Sequence, residues 1–196
     1  MPVTAAIPFD ALSRAERLTI ARIVKVNHAG EYGAIRIYRA QLGVARLWMP
    51  DLTAFLSETL SHEETHCRRF REAMNERATR PCYAMWLWGL GGTALGLITA
   101  LMGRNAVMAC TKAVEQTVHS HLEDQLHWLA GRDEDLRTTI AAIQIEEDAH
   151  LAHACAHLTP FPLNQLIEAA VVIATEIVIW LSTQGAVSRM AATLKR

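Results

Sequence analysis

The chain has 196 residues and a net charge of -1, from 19 Lys+Arg against 20 Asp+Glu, which argues against a nucleic-acid partner. Hydrophobic residues make up 51% of it, with only 10 Gly and 6 Pro, so a disordered chain is excluded and one domain with a sizeable core is expected over 1–196. The mean hydropathy of +0.12 is high beside 20% charged residues and points to a membrane surface or a large interface.

The pattern is helical almost throughout, without sustained period-two alternation. Residues 1–12 are expected to be flexible, and residues 1–20, with Asp10 and Glu16, show no apolar core of a signal peptide. A first helix is predicted from about Ser13 to Trp48, capped by Ser13 with Glu16 three residues on. It breaks at Met49-Pro50-Asp51, and a second helix runs from about Leu52 to Arg77. An uncharged stretch, Pro81 to Gly103, precedes a helix from Asn105 to Ala130. Gly131-Arg132-Asp133 reads as a turn with its own N-cap, opening a fifth helix over Glu134 to Leu158. Thr159-Pro160 opens a last helix to about Met190. Cys67, Cys82, Cys110 and Cys155 have no metal spacing and read as free thiols in a reducing compartment.

An internal repeat carries the chemistry. Glu63-x-x-His66 and Glu147-x-x-His150 each set a carboxylate and an imidazole on one helix face. A single such pair is weak evidence, but Glu31 precedes the first by the same interval that separates Glu115 from the second. The triplet repeats at an offset of 84 residues. In an antiparallel hairpin, residues equidistant from the turn lie side by side, because both helices rise about 1.5 Å per residue. The midpoint of Glu31 and Glu63 falls at position 47, beside the first break, and that of Glu115 and Glu147 at Gly131. Each hairpin therefore sets a Glu beside a Glu-x-x-His.

Four carboxylates converging in a bundle core without a cation would be very unfavourable. Two divalent metals resolve this, and an oxygen-rich, His-capped ligand set suits iron or manganese better than zinc. The expected fold is all-α: a ferritin-like four-helix di-iron bundle with an apolar crossover helix and an additional C-terminal helix, an arrangement already described in general terms for such proteins. The competing reading of these residues is a set of solvated surface side chains.

Asn27-His28-Ala29-Gly30-Glu31-Tyr32-Gly33-Ala34 resembles the first iron-ligand motif of the demethoxyubiquinone hydroxylases, di-iron monooxygenases of ubiquinone biosynthesis. Glu63-Glu64-Thr65-His66, Ala113-Val114-Glu115 and Glu147-Asp148-Ala149-His150 extend the resemblance over nearly the whole chain after about residue 20. It implies Glu31, Glu63 and His66 on one iron, Glu115, Glu147 and His150 on the other, and Glu63 and Glu147 as bridges. Where many members of that family carry a second Glu after the first ligand of the repeat, this chain has Gln116. The resemblance also places a histidine at His121, and His28 lies one turn before Glu31. Both are candidates for a catalytic or substrate-contacting role, each against the alternative of a hydrogen-bonded helix histidine.

The implied reaction is dioxygen-dependent hydroxylation of a demethoxyubiquinone or -ol ring, with NADH as ultimate electron donor and not tightly bound. An iron oxidase or store of the ferritin kind is the alternative. Pro81–Gly103 is long enough to cross a bilayer, but crossing would part the two ligand triplets. It is expected to run back along the bundle or lie in the membrane interface, with Trp86 and Trp88 in the interfacial zone. Gly92-x-x-x-Gly96 permits close helix approach but decides nothing alone. The expected partners are a polyprenyl quinone, the membrane surface and other ubiquinone-biosynthesis proteins, including one that presents lipid. Nucleic acid is excluded, and the apolar surface leaves a homo-oligomer open. The expected location is peripheral, on the cytoplasmic face of a bacterial inner membrane.

Overall fold

The computed structural model describes residues 9–183, and every element in that range is helical. Helix α1 (Arg14–Trp48) opens on the Ser13–Glu16 capping box, where Ser13 Oγ accepts from the Glu16 amide and Glu16 Oε2 accepts from the Ser13 amide at 2.9 Å. Pro50 starts a 3-10 turn (Pro50–Leu52) that reverses the chain into α2 (Thr53–Glu76). Helix α3 (Met85–Leu101) returns along α1 and hands over to α4 (Arg104–Leu129). Gly131, in the left-handed region at φ +72°, turns the chain into α5 (Glu134–His157), which Asp133 caps by accepting from the Leu136 amide at 3.1 Å. Helix α6 spans Asn164–Thr183.

Hairpins α1–α2 and α4–α5 form the bundle. Across the hairpins, Asn27 pairs with Gln125 and Tyr38 with Glu115, so α1 and α4 are antiparallel. His66 meets Glu146 and His62 meets His150, so α2 and α5 are antiparallel as well. That topology requires a crossover spanning the bundle's length, and α3 supplies it. One apolar cluster (Ile20, Ile23, Phe70, Met74, Leu122, Leu129, Leu136, Ile140) fills one end of the core. A second (Tyr38, Leu42, Leu52, Leu56, Val107, Met108) fills the other. Each large side chain so buried contributes about 1.5–3 kcal/mol.

Several expectations need correction. The crossover helix is 17 residues long, not 23, because Pro81–Ala84 form a non-helical approach to it. One face of this apolar helix is buried, through Trp88, Gly89, Gly92 and Gly96. A Cβ on Gly92 would lie 2.5 Å from the Gly33 carbonyl oxygen, so the glycine pair lets α3 sit directly on the α1 backbone. Trp88 is 7% exposed and packs over Gly33, so of the two α3 tryptophans Trp86 is the one at the surface. Within the segment expected to be flexible, Phe9–Ala11 form a 3-10 turn and Leu12 is buried; residues 1–8 lie outside the described range. Helix α6 starts at Asn164, after Pro160 and Pro162. Asn105 ties this junction together, accepting from the Thr159 amide at 2.8 Å and donating to Asn164 at 2.6 Å. The expected continuation of α6 to Met190 lies beyond the described residues. All four cysteines are free thiols.

Candidate metal centre

Midway along the bundle, between the two apolar clusters, six side chains converge. Glu31, Glu63, His66 and Glu147 form one group with ligand atoms within 4.8 Å of one another, and Glu63, Glu115, Glu147 and His150 form a second. Glu63 and Glu147 belong to both. All six are buried. His66 Nδ1 lies 2.9 Å from Glu147 Oε1, 3.8 Å from Glu31 and 3.9 Å from Glu63. His150 Nδ1 lies 3.4 Å from Glu147 Oε2, 3.5 Å from Glu63 and 3.9 Å from Glu115. Each histidine therefore turns the same nitrogen toward the carboxylates.

The electrostatics follow from four carboxylates sharing a dry site. Burial first, and then the charges of Glu147, Glu31 and Glu115, hold the Glu63 carboxyl well above the usual carboxylate range. Glu115 is raised by burial and Glu147. Burial acts the same way on Glu147, but hydrogen bonds from His150 and His66 outweigh it and hold this carboxyl below its ordinary value. Burial would lower His66, yet hydrogen bonds to Glu147 and Glu31 raise it to about 10. The raised His66 sets a positive charge against the lowered Glu147, while burial disfavours charge on Glu63 and Glu115.

A metal fits the donor set better than protons do. His66 Nδ1, His150 Nδ1 and Glu63 Oε1 are buried and turned into the cluster, where the approaches to their neighbours lack the alignment of a full hydrogen bond. Buried polar atoms rarely stay unsatisfied. Here the orphans are a lone pair from each histidine and one from the glutamate common to both groups.

Groups that the sequence reading passed over support these six. His66 Nε2 meets Glu146 Oε2 at 3.0 Å, and His150 Nε2 meets His62 Nδ1 at 3.0 Å. Tyr38 donates a short hydrogen bond from its hydroxyl to Glu115 Oε1. The sequence carries a signal for His62 and Glu146, since positions 62 and 146 are themselves related by the offset of 84. Gln116 is exposed, away from the cluster.

His121 and His28 part company. His121 lines a cleft between α1, α3, α4 and α6, and its Nε2 lies 3.0 Å from Glu176 Oε1. His28 is buried in the bundle but is not part of that cleft. Burial, with Arg71 adding to it, lowers its pKa, and its carbonyl faces Cys67 on α2. His119 pairs with Asp148 on the half-exposed side toward α5.

The cleft measures about 1050 Å³ with its open mouth. Val26, Ala34, Ile37, Leu87, Trp88, Leu95, Val178 and Ile179 make its walls apolar, and Glu31, Glu63, Glu115 and Glu147 stand at its inner end. Asn27 and Gln125, which exchange side-chain amide hydrogen bonds, and Thr175 add its neutral polar groups.

Fold and site together define a ferritin-like helical bundle with paired carboxylate–histidine clusters opening on an apolar cleft. The chain belongs to the family described as ubiquinone biosynthesis protein COQ7, which matches residues 18–182. It is 36% identical over 177 residues to the NADPH-dependent 3-demethoxyubiquinone 3-hydroxylase, mitochondrial, of Dictyostelium discoideum, covering 86% of this chain and 79% of that one. It is 34% identical over 167 residues to the 3-demethoxyubiquinol 3-hydroxylase of Rhodospirillum rubrum, covering 83% and 77%. With the human NADPH-dependent 3-demethoxyubiquinone 3-hydroxylase, mitochondrial, identity is 37% over 143 residues, covering 71% and 65%.

Proposed function

We propose that this chain hydroxylates the ring of a polyprenylated demethoxyubiquinol with dioxygen, using two iron ions held by Glu31, Glu63, His66, Glu115, Glu147 and His150. The observation that carries this reading is the apolar cleft ending on the four carboxylates. A water-insoluble ring with a greasy tail needs such a path, whereas an iron store needs a polar route for hydrated ions. Relatives named as demethoxyubiquinone or demethoxyubiquinol hydroxylases support the same choice. Bound iron would supply dioxygen activation, one oxygen atom going to the ring and the other to water.

The chain's own residues do the rest. Glu146 and His62 hold the proton of each ligand histidine on Nε2, so that both Nδ1 lone pairs face inward. Tyr38 holds Glu115, and the apolar plugs exclude water from both ends. His121, braced by Glu176, binds a ring hydroxyl and moves its proton, while the Asn27–Gln125 pair, one turn from Glu31, adds neutral polar groups to the cleft wall. His28, buried one turn before Glu31 on α1, packs behind the ligand face. Electrons come from a reduced nicotinamide that binds transiently. The sequence resemblance implies NADH, while the names of the Dictyostelium and human relatives specify NADPH.

A water-insoluble substrate supports a position on a membrane surface, in a bacterium on the cytoplasmic face. Trp86 and Leu90 on α3, and Ile173 and Trp180 on α6, are more than half exposed around the cleft elements. Asn164–Leu181 is long and apolar enough to cross a membrane. It lies flat in our reading, because α6 runs parallel to α4 through Asn105–Asn164, Lys112–Glu168 and His121–Glu176, and α4 carries Glu115. Other ubiquinone-biosynthesis proteins, a lipid-presenting one among them, and a second copy of the chain are the partners this surface suits.

The test is anaerobic reconstitution of iron-free protein with ferrous iron, followed by a short-tailed demethoxyquinol, a reductant and isotope-labelled dioxygen. A product heavier by one labelled oxygen atom supports the reading, and about two irons per chain should be retained. Glu147→Ala should lose both iron and turnover. Full activity in that variant, or mineralised iron without an organic product, overturns it.

A further inference from the structure

The repeat that relates the two half-sites extends to the groups behind them in position but not in chemistry. The residue before each Glu-x-x-His backs the histidine of the other hairpin. Glu146 takes His66 Nε2 at 3.0 Å, and His62 takes His150 Nε2 at 3.0 Å. A histidine that ligates through Nδ1 keeps its proton on Nε2, so His66 donates to a carboxylate while His150 donates to a neutral imidazole. An anionic acceptor draws that proton harder and leaves the ring a stronger donor.

A second difference acts in the same direction. Tyr38 donates its hydroxyl to Glu115 Oε1, which stabilises the carboxylate charge and weakens it as a ligand. The position related to Tyr38 by the same offset is Leu122, a buried side chain with no donor to give Glu31. Two independent contacts therefore weaken one donor set relative to the other.

We infer that the two metal positions are unequal: the one faced by Glu31, Glu63, His66 and Glu147 fills first and releases its ion last, and the one faced by Glu63, Glu115, Glu147 and His150 is the labile one. His62, Glu146 and Tyr38 are the positioning residues that set this order. The inference rests on the two-iron reading proposed above.

The test is an anaerobic titration of the iron-free full chain with ferrous iron against a competing chelator, paralleled by Mössbauer spectra of isotopically enriched iron. Two irons should bind in steps separated by about tenfold or more in affinity. The first equivalent should give one quadrupole doublet and the second should add another. His62→Glu, which copies the repeat partner, should tighten the second step by about tenfold and leave the first in place. Glu146→Gln, at a residue that is one-third exposed, should loosen the first step by a similar factor and bring the two together. His62→Gln keeps a neutral acceptor and should hold the second step near its original value, which a packing role for the imidazole would not allow. Circular dichroism verifies the fold of each variant, and Glu146→Gln decides the matter should His62→Glu not fold. Two equal steps with both doublets present at one equivalent overturn the inference alone. A total of one iron overturns it together with the two-iron reading.

Discussion

His121 stands on the wall of the cleft and outside both ligand groups, which separates the effects expected of its loss. His121→Ala should retain its iron and turn over about 10²-fold more slowly, as for a removed proton-transfer group. Iron analysis alongside turnover checks this, and loss of iron would make His121 a ligand. The cluster also sets the pH behaviour of iron-free protein. His66 is raised from 6.5 to about 10, so the stability it contributes is fully present below pH 6.5 and is lost as pH climbs through about 10. Glu63 and Glu115, raised well above the usual carboxylate range by burial, act in the same direction. Iron-free protein should therefore melt at progressively lower temperature from pH 7 to 10. Bound iron replaces the cluster's protons and should abolish the fall, so scanning calorimetry with and without ferrous iron decides the point.

Between elements, one contact joins the end of α2 to the start of α5. Arg77 Nε and Nη2 each donate to Asp133 at 2.7 Å, and both side chains are less than 10% exposed. Asp133 simultaneously caps α5 at Leu136. Arg77→Ala would strand a buried carboxylate and should cost about 3–5 kcal/mol, read from urea denaturation. Iron stoichiometry should survive below the transition, since this contact lies at the end of the bundle. A loss under about 1 kcal/mol would show the pair to be solvated in solution. The glycine stripe of α3 illustrates a different limit of sequence reading. Gly92-x-x-x-Gly96 is common enough to carry no weight alone, yet both glycines face the α1 carbonyls so closely that any Cβ would collide. Only the partner backbone reveals that.

At the scale of the molecule, α3 and α6 lie over the α1–α4 side of the bundle, line the cleft and expose apolar side chains around it. Trp86→Asp with Leu90→Lys should release the protein from liposomes and lower turnover of long-tailed substrate about tenfold or more, as expected when several kcal/mol of interfacial burial is removed. Turnover of a short-tailed, soluble analogue should change little, because neither residue lines the cleft. Equal loss on both substrates would mean that the helix pair serves the fold of the site rather than a lipid surface.

The all-α class, the two hairpins and the six converging side chains could be read from the chain alone. Helical periodicity, prolines and a glycine turn set the element boundaries, and the offset of 84 between Glu31-Glu63-His66 and Glu115-Glu147-His150 is a property of linear order. Which helix faces lie against which partners could not be read so. Glu146 and His62 reach across to the opposite hairpin, and Tyr38 reaches from α1 to α4, because antiparallel packing sets remote positions side by side. The buried face of Trp88, the separation of His28 from the cleft and the pairing of His121 with Glu176 have the same origin. Sequence spacing specifies neighbours on one helix, whose pitch is fixed by its hydrogen bonds. Neighbours between helices depend on the rotation and stagger at which apolar surfaces of different shape close-pack, and only the tertiary structure sets those.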